Sequence, residues 1–290
     1  MQFLCLPGAF GSAKAGLLSG TNFRVQLGPL AQEIERRGLA SFVYTQGRHE
    51  VEPPKGWENY FGARPCYRFI DTRHGDVFDH LRRIIQMPRG LDAEDAMRMF
   101  QNLSTDESWQ KEVLTEAVDD VFNTIDENPD VDAILGYSEG ALIGASLVVE
   151  EAMRAERTGR PRRIKFAVFI SGSPPFKQLD DGSVICLLAD EVGTAIDIPT
   201  LHIWGCDDAF LTSAVALFNV CDPSKSELFD HGLGHIVPRD AENIRLISDI
   251  LEDMIRKVEE ENGRGVETSS NAGSLTDGDG PAGLFPQLED

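Results

Sequence analysis

The chain has 290 residues and a formal charge of −21, from 27 basic against 48 acidic side chains. This argues against nucleic acid or an anionic membrane as a partner, because both need clustered cations and the single basic run is Arg160 to Lys165. A hydrophobic content of 41% with 26% charged residues is ordinary for a globular fold with a substantial core, and no apolar run is long enough to span a bilayer.

Five cysteines, Cys5, Cys66, Cys186, Cys206 and Cys221, are scattered without C-x-x-C spacing. That argues against a zinc site or a disulfide framework and suits a reducing compartment. Met1 to Pro7 has no basic region and too short an apolar run for a secretion signal, so a cytoplasmic protein is expected.

In chain order, Phe3 to Leu6 reads as a buried strand ended by the turn signal Pro7-Gly8. Phe23 to Arg37 spaces Val25, Leu27, Leu30 and Ile34 among polar residues and stops at Gly38, which predicts a helix with a C-terminal glycine. Ser41 to Thr45 is a second short strand. From Gln46 to Phe69 the chain is rich in proline, glycine and aromatics, which predicts a long ordered loop, and residues 46–130 are read as holding a helical and loop cap, a lid or pocket wall. Asp76 to Gln86, Asp92 to Asn102 and Asp106 to Asp126 carry helical patterns, the last opened by a capping box from Ser104 to Glu107. Met87, Met97, Met99, Phe100 and Trp109 in this region either face an apolar acyl group or fill the core.

Further strands are predicted at Ala133 to Leu135, Ile164 to Ile170, Thr200 to Trp204 and Glu227 to Phe229. The near-continuous apolar run of the second suits a parallel strand covered on both faces. Ile247, Ile250, Leu251, Met254, Ile255 and Val258 mark a final amphipathic helix. After Asn262 the composition shifts to Gly, Ser, Thr, Asp and Pro, so residues 1–262 are expected to form the domain and 263–290 a disordered tail. Strands alternating with helices imply an α/β fold, doubly wound around a mostly parallel sheet.

The chain is organised around Gly136-Tyr137-Ser138-Glu139-Gly140, between an apolar strand and the helix-like stretch Ala141 to Val149. G-x-S-x-G at a strand-to-helix turn is the nucleophile elbow of α/β-hydrolases, so tight that the flanking positions must lack side chains. Gly140, Ala141, Gly144 and Ala145 are small enough to let the following helix lie close on the sheet. Ligands of such folds sit beyond the carboxyl ends of the strands, where an acid and a histidine are therefore sought. Leu201 to Trp204 runs into Gly205-Cys206-Asp207-Asp208, and Glu227 to Phe229 runs into Asp230-His231-Gly232-Leu233-Gly234-His235. The order serine, acid, histidine is the α/β-hydrolase order. Asp207 competes with Asp208 for the acid. His231 competes with His235, which is preferred because the glycine before it lets the loop approach the serine.

The oxyanion would be held by the backbone N–H groups of Ala9 and Glu139. The Glu139 carboxylate suits a helix's first turn and needs no catalytic role. The chemistry requires no metal and no cofactor, and Gly8 to Lys14 lacks the G-K-[ST] ending of a phosphate loop.

These motifs resemble the fungal serine hydrolase family (FSH family) of α/β-hydrolases. The resemblance rests on Leu4-Cys5-Leu6-Pro7-Gly8, the elbow, Ile170-Ser171-Gly172, Gly205 to Asp208, and the H-x-x-G-H-x-x-P stretch His231 to Pro238. It covers nearly everything up to Asn262 and points to Asp208 and His235. Pro7 stands where relatives usually have His, and Ala15 to Thr21 looks inserted. The resemblance implies an acyl hydrolase. Tyr44 to Gly47 and Tyr60 to Gly62 look more like the polyketide-cluster members, which implies a thioesterase that releases an acyl or polyketide chain from a synthase carrier domain. A carboxylesterase of small free esters and a catalytically silent binding module are the alternatives.

Overall fold

The computed structural model describes residues 1–12, 22–53, 55, 61, 65–71, 88, 90–103, 111–179 and 184–272. Its elements are β1 (Gln2–Leu6), α1 (Asn22–Arg36), β2 (Ser41–Tyr44), β3 (His49–Val51), β4 (Cys66–Arg68), α2 (Ala93–Leu103), α3 (Lys111–Glu127), β5 (Ala133–Tyr137), α4 (Glu139–Thr158), β6 (Phe166–Ile170), β7 (Phe176–Gln178), β8 (Val184–Cys186), α5 (Ala189–Val192), β9 (Thr200–Trp204), α6 (Leu211–Asn219), β10 (Ser226–Asp230) and α7 (Ala241–Ala272).

Six strands form one parallel sheet in the order β10-β9-β6-β5-β1-β2. Side-chain alternation sends Leu4, Leu6, Ile134 and Phe169 to one face, where α3 and α4 cover them. Phe3, Cys5, Leu135, Phe166 and Val168 point to the other, under α1 and α7. Burying both faces accounts for the apolar runs of the central strands. The chain turns outward from β1 to β2 and then returns past β1 to β5. The strand order therefore reverses between β1 and β5, and folds of this kind bind ligands beyond the carboxyl ends of the strands at such a switch point.

α1 ends as its sequence predicts. Gly38 takes φ 70°, its N–H bonds the Glu35 carbonyl at 2.9 Å and the Leu39 N–H bonds that of Ile34 at 3.1 Å, a Schellman closure. Along α4, a Cβ on Gly144 would lie 2.8 Å from Ile134 Cγ2, so the small residues do bring this helix down onto the sheet.

The stretch from Gln46 to Phe69 departs from the predicted loop. It contains an antiparallel pair, β3 with β4, registered His49 to Arg68 and Val51 to Cys66. Strands of three residues are too short to show a period of two. The β7–β8 pair escapes notice for the same reason. α6 exposes just Thr212 and Asn219 while it packs between β9 and α2, so its amphipathic signature is weak. Met97 and Phe100 are buried core residues between α2 and α6, where the Ser213 hydroxyl bonds Met97 Sδ at 3.3 Å. α7 continues to Ala272, past the compositional break at Asn262. The predicted helix at 76–86, the capping box at 104–107, Met87, Trp109 and most of 263–290 lie outside the described residues or their side chains.

Candidate active site

Ser138 sits between β5 and α4 at φ 53° and ψ −116°, a conformation that side chains other than hydrogen rarely tolerate. The elbow's glycines explain how the turn closes. A Cβ on Gly136 would lie 2.5 Å from Ala141 Cα, and one on Gly140 would lie 2.2 Å from the Leu6 carbonyl oxygen. The Ser138 N–H is anchored to the Ile170 carbonyl at 2.9 Å, which ties the turn to β6.

The three predicted side chains form one hydrogen-bonded line. His235 Nε2 lies 2.9 Å from Ser138 Oγ, and His235 Nδ1 lies 2.9 Å from Asp208 Oδ2. Asp208 Oδ1 also accepts the Phe210 N–H at 2.8 Å. Burial raises the Asp208 carboxyl's pKa, but hydrogen bonds from His235 and the Phe210 N–H outweigh it and hold the group below its ordinary value. Asp208 is buried, whereas Asp207 is exposed.

His231, the rival imidazole, is buried beneath the loop. Its Nδ1 accepts the Leu233 N–H at 3.3 Å, and burial holds its pKa below the ordinary histidine value. It braces the loop and does not reach the serine.

The acid and histidine loops interlock. A Cβ on Gly205 would lie 1.6 Å from the Leu233 carbonyl oxygen, so only glycine permits the crossing. Asp230 Oδ1 accepts the N–H groups of Cys206 at 3.0 Å and Gly232 at 2.8 Å. The Tyr137 hydroxyl donates to the His235 carbonyl at 2.9 Å, and the Tyr137 and Phe210 rings flank the imidazole at 5.3 and 4.8 Å between centroids.

Opposite these loops, the segment after β1 carries Ala9. A Gly8 Cβ would lie 3.1 Å from Ser138 Cβ, so this backbone runs directly beside the nucleophile candidate. Asn22 pins the segment: its Nδ2 donates to the carbonyls of Phe10 at 2.9 Å and Phe61 at 2.8 Å, and its Oδ1 accepts the Ser12 N–H at 2.6 Å. These bonds join the two ends of the chain that flank Ala15 to Thr21, residues outside the described set. Glu139, the second oxyanion candidate, begins α4, and its buried side chain pairs with Arg68.

Residues 1–247 match the family model described as serine hydrolase (FSH1). The chain belongs to that family. It is a serine hydrolase, an enzyme that acts on ester substrates, on an α/β-hydrolase fold. The family chain is 34% identical over 265 residues to "Esterase FPY3" of Fusarium mangiferae, covering 89% of this chain and 95% of that protein. It is 28% identical over 243 residues to "Hydrolase phiM" of Talaromyces stipitatus, covering 83% and 82%. The crystal structure of Arabidopsis thaliana SOBER1 superposes with a TM-score of 0.45 at 17% identity, covering 88% of this chain and 98% of that one.

Among the described residues no helix is long and apolar enough to cross a membrane, and no group of His, Cys, Asp and Glu is arranged to hold a metal ion. Sequence reasoning missed Arg68, Tyr137 and Asn22 as parts of the site. Arg68 carried one signal: a cation inside Cys66-Tyr67-Arg68-Phe69-Ile70 requires a buried partner.

Proposed function

We propose that this serine hydrolase works by two-step acyl transfer through Ser138, His235 and Asp208. Ser138 Oγ attacks the carbonyl while His235 Nε2 takes its proton. His235 then returns the proton to the leaving group, and a water repeats the sequence to release the acid. Asp208 holds the Nδ1–H tautomer and stabilises the imidazolium. The backbone N–H groups of Ala9 and Glu139 receive the oxyanion, each such donor lowering the barrier by about 3 kcal/mol. The single observation that carries this reading is the unbroken line of 2.9 Å contacts from hydroxyl to imidazole to carboxylate.

The substrate proposed is an acyl or polyketide thioester on a carrier domain, in a cytoplasmic setting. The resemblance of the Tyr44 to Gly62 stretch to polyketide-cluster members supports the substrate, and five free thiols support the compartment. A carboxylesterase of small free esters is the second reading, favoured by the name of the relative "Esterase FPY3".

A fluorophosphonate probe tests the nucleophile: it should label the wild type and leave Ser138→Ala unlabelled. Labelling that survives the substitution would place the nucleophile elsewhere. The ratio of kcat/KM on acyl thioesters and oxygen esters of matched chain then separates the substrates, a preference for the oxygen ester rejecting the thioesterase.

A further inference from the structure

We infer that Arg68 is a positioning residue for the oxyanion site, acting through Glu139 and through the strand that carries it. The inference rests on Ser138 being the nucleophile and on Ala9 and Glu139 supplying the two donors.

The two donor N–H groups come from loops far apart in the chain, and β4 touches both. On one side Tyr67 forms an antiparallel bridge with Gly11, in the loop that holds Ala9, and the Arg68 guanidinium carbon lies 5.9 Å from the Phe10 ring centroid. On the other side Arg68 Nε and Nη2 donate to Glu139 Oε2 at 2.8 and 2.6 Å, while the Phe69 N–H donates to Glu139 Oε1 at 2.7 Å. Gly47 lies so close to β4 that a Cβ there would meet the Arg68 carbonyl carbon at 2.0 Å, so the backbone packs directly against the strand that carries Arg68.

The Arg68 and Glu139 side chains are only 9% and 6% exposed. A buried ion pair gains little net stability, because desolvating two charges offsets their attraction. Its consequence here is positional, since three hydrogen bonds on one carboxylate fix the first residue of α4. Its charge matters as well. Glu139 follows the nucleophile directly, so an unneutralised carboxylate would oppose the negative charge that grows on the substrate oxygen. The Arg68 fork removes that opposition, and β4 holds both halves of the oxyanion site in one register.

The test uses the full chain with Arg68→Gln, Arg68→Lys and the double variant Arg68→Gln with Glu139→Gln. Steady-state hydrolysis of p-nitrophenyl butyrate is measured beside the affinity for an alkylboronic acid, which forms a tetrahedral adduct on the serine. Arg68→Gln should lower kcat about 100-fold with KM changed by less than about threefold, and boronate affinity should fall in parallel. Arg68→Lys should lose about tenfold, because an ammonium keeps the charge without the fork. The double variant should regain at least about tenfold over Arg68→Gln, since no bare carboxylate is left beside the site.

A folded Arg68→Gln with wild-type kcat overturns the inference. So does a loss confined to KM, or a double variant no better than the single one. Where thermal melting shows that Arg68→Gln does not fold, Arg68→Lys carries the test, and wild-type kcat there is equally fatal. Hydrolysis that survives in Ser138→Ala would sink the underlying reading of the site. An inactive Ser138→Ala beside a fully active Arg68→Gln would sink this inference alone.

Discussion

At the carboxyl edge of the sheet, three of the described residues that bear side chains take positive φ, Phe10 at 64°, Ser138 at 53° and Ser171 at 47°, beside one glycine, Gly232 at 73°. At the amino edge, the turns that lead into β2, β6 and β9 use glycine for the same purpose, with Gly38 at 70°, Gly159 at 69° and Gly193 at 66°. Glycine adopts such angles at little cost, whereas a residue with a Cβ stores roughly 1–3 kcal/mol of strain. The strained residues follow β1, β5 and β6, where the loops converge on Ser138. Two of them are held there by neighbouring strands, Ser138 N–H on the Ile170 carbonyl and Ser171 N–H on that of Ile203, each at 2.9 Å. The amino edge is closed for stability, and the carboxyl edge is strained where the proposed nucleophile stands.

α4 spans both edges and permits a matched experiment. Gly140→Ala at its first turn should have the largest effect. The new methyl would lie 2.2 Å from the Leu6 carbonyl oxygen, so the helix start must move away from β1 and carry the elbow with it. Displacing the proposed nucleophile by about an ångström should cost on the order of 100-fold in kcat. The overpacking should also remove roughly 2–3 kcal/mol of stability, read by urea unfolding. A variant that keeps kcat within about tenfold of wild type would show that elbow tightness is not what holds the serine.

How much of this was legible in the sequence divides along similar lines. The parallel strands and the three strand-end loops could be read directly, because apolar runs, turn glycines and chain order are local signals. Asp208 over Asp207 and His235 over His231 rested on glycine placement and resemblance, and the geometry separates each pair by burial and reach. The ties across the site could not be read. Whether Arg68 meets Glu139, or Asn22 meets Phe61, depends on where β4 lies against the elbow, and no periodicity encodes that. Glu139 illustrates the point: its sequence position explains its charge by the helix dipole, while the structure gives the carboxylate three hydrogen bonds from two residues, Arg68 and Phe69.

The amino half of the sheet has its own buried polar cluster, and there the expected effect is on acid stability. His202 on β9 is fully buried between Phe169 and Phe218, with Nε2 3.0 Å from Thr200 Oγ1, which in turn lies 2.8 Å from Ser226 Oγ. Burial pushes its pKa from 6.5 down to about 3, and it pushes the neighbouring Cys221 thiol up to about 12, so both stay neutral near pH 7. The unfolded chain binds a proton at His202 below about 6.5 and the folded chain does not. The stability from a neutral His202 is therefore complete above about 6.5 and is lost as pH falls toward about 3. The slope is up to about 1.4 kcal/mol per pH unit. His202→Leu should flatten that slope in urea unfolding between those limits, with kcat at pH 7 unchanged. An unchanged slope would move the acid sensitivity elsewhere.

Gly159→Ala, at the far end of α4 from the elbow, should have the smallest effect and completes the matched pair. Gly159 N–H caps the helix on the Ala155 carbonyl at 2.8 Å, and that bond survives substitution. Nothing lies within 4 Å of the added methyl, so the whole cost is an alanine held at φ 69°. That strain is worth about 1 kcal/mol, seen as a lower urea midpoint at unchanged slope. Because no strained loop of the site leans on this turn, kcat and KM should both stay at wild-type values. If kcat instead falls with stability, strain at the amino edge is transmitted through α4 to Ser138, and the two edges cannot be treated as separate devices.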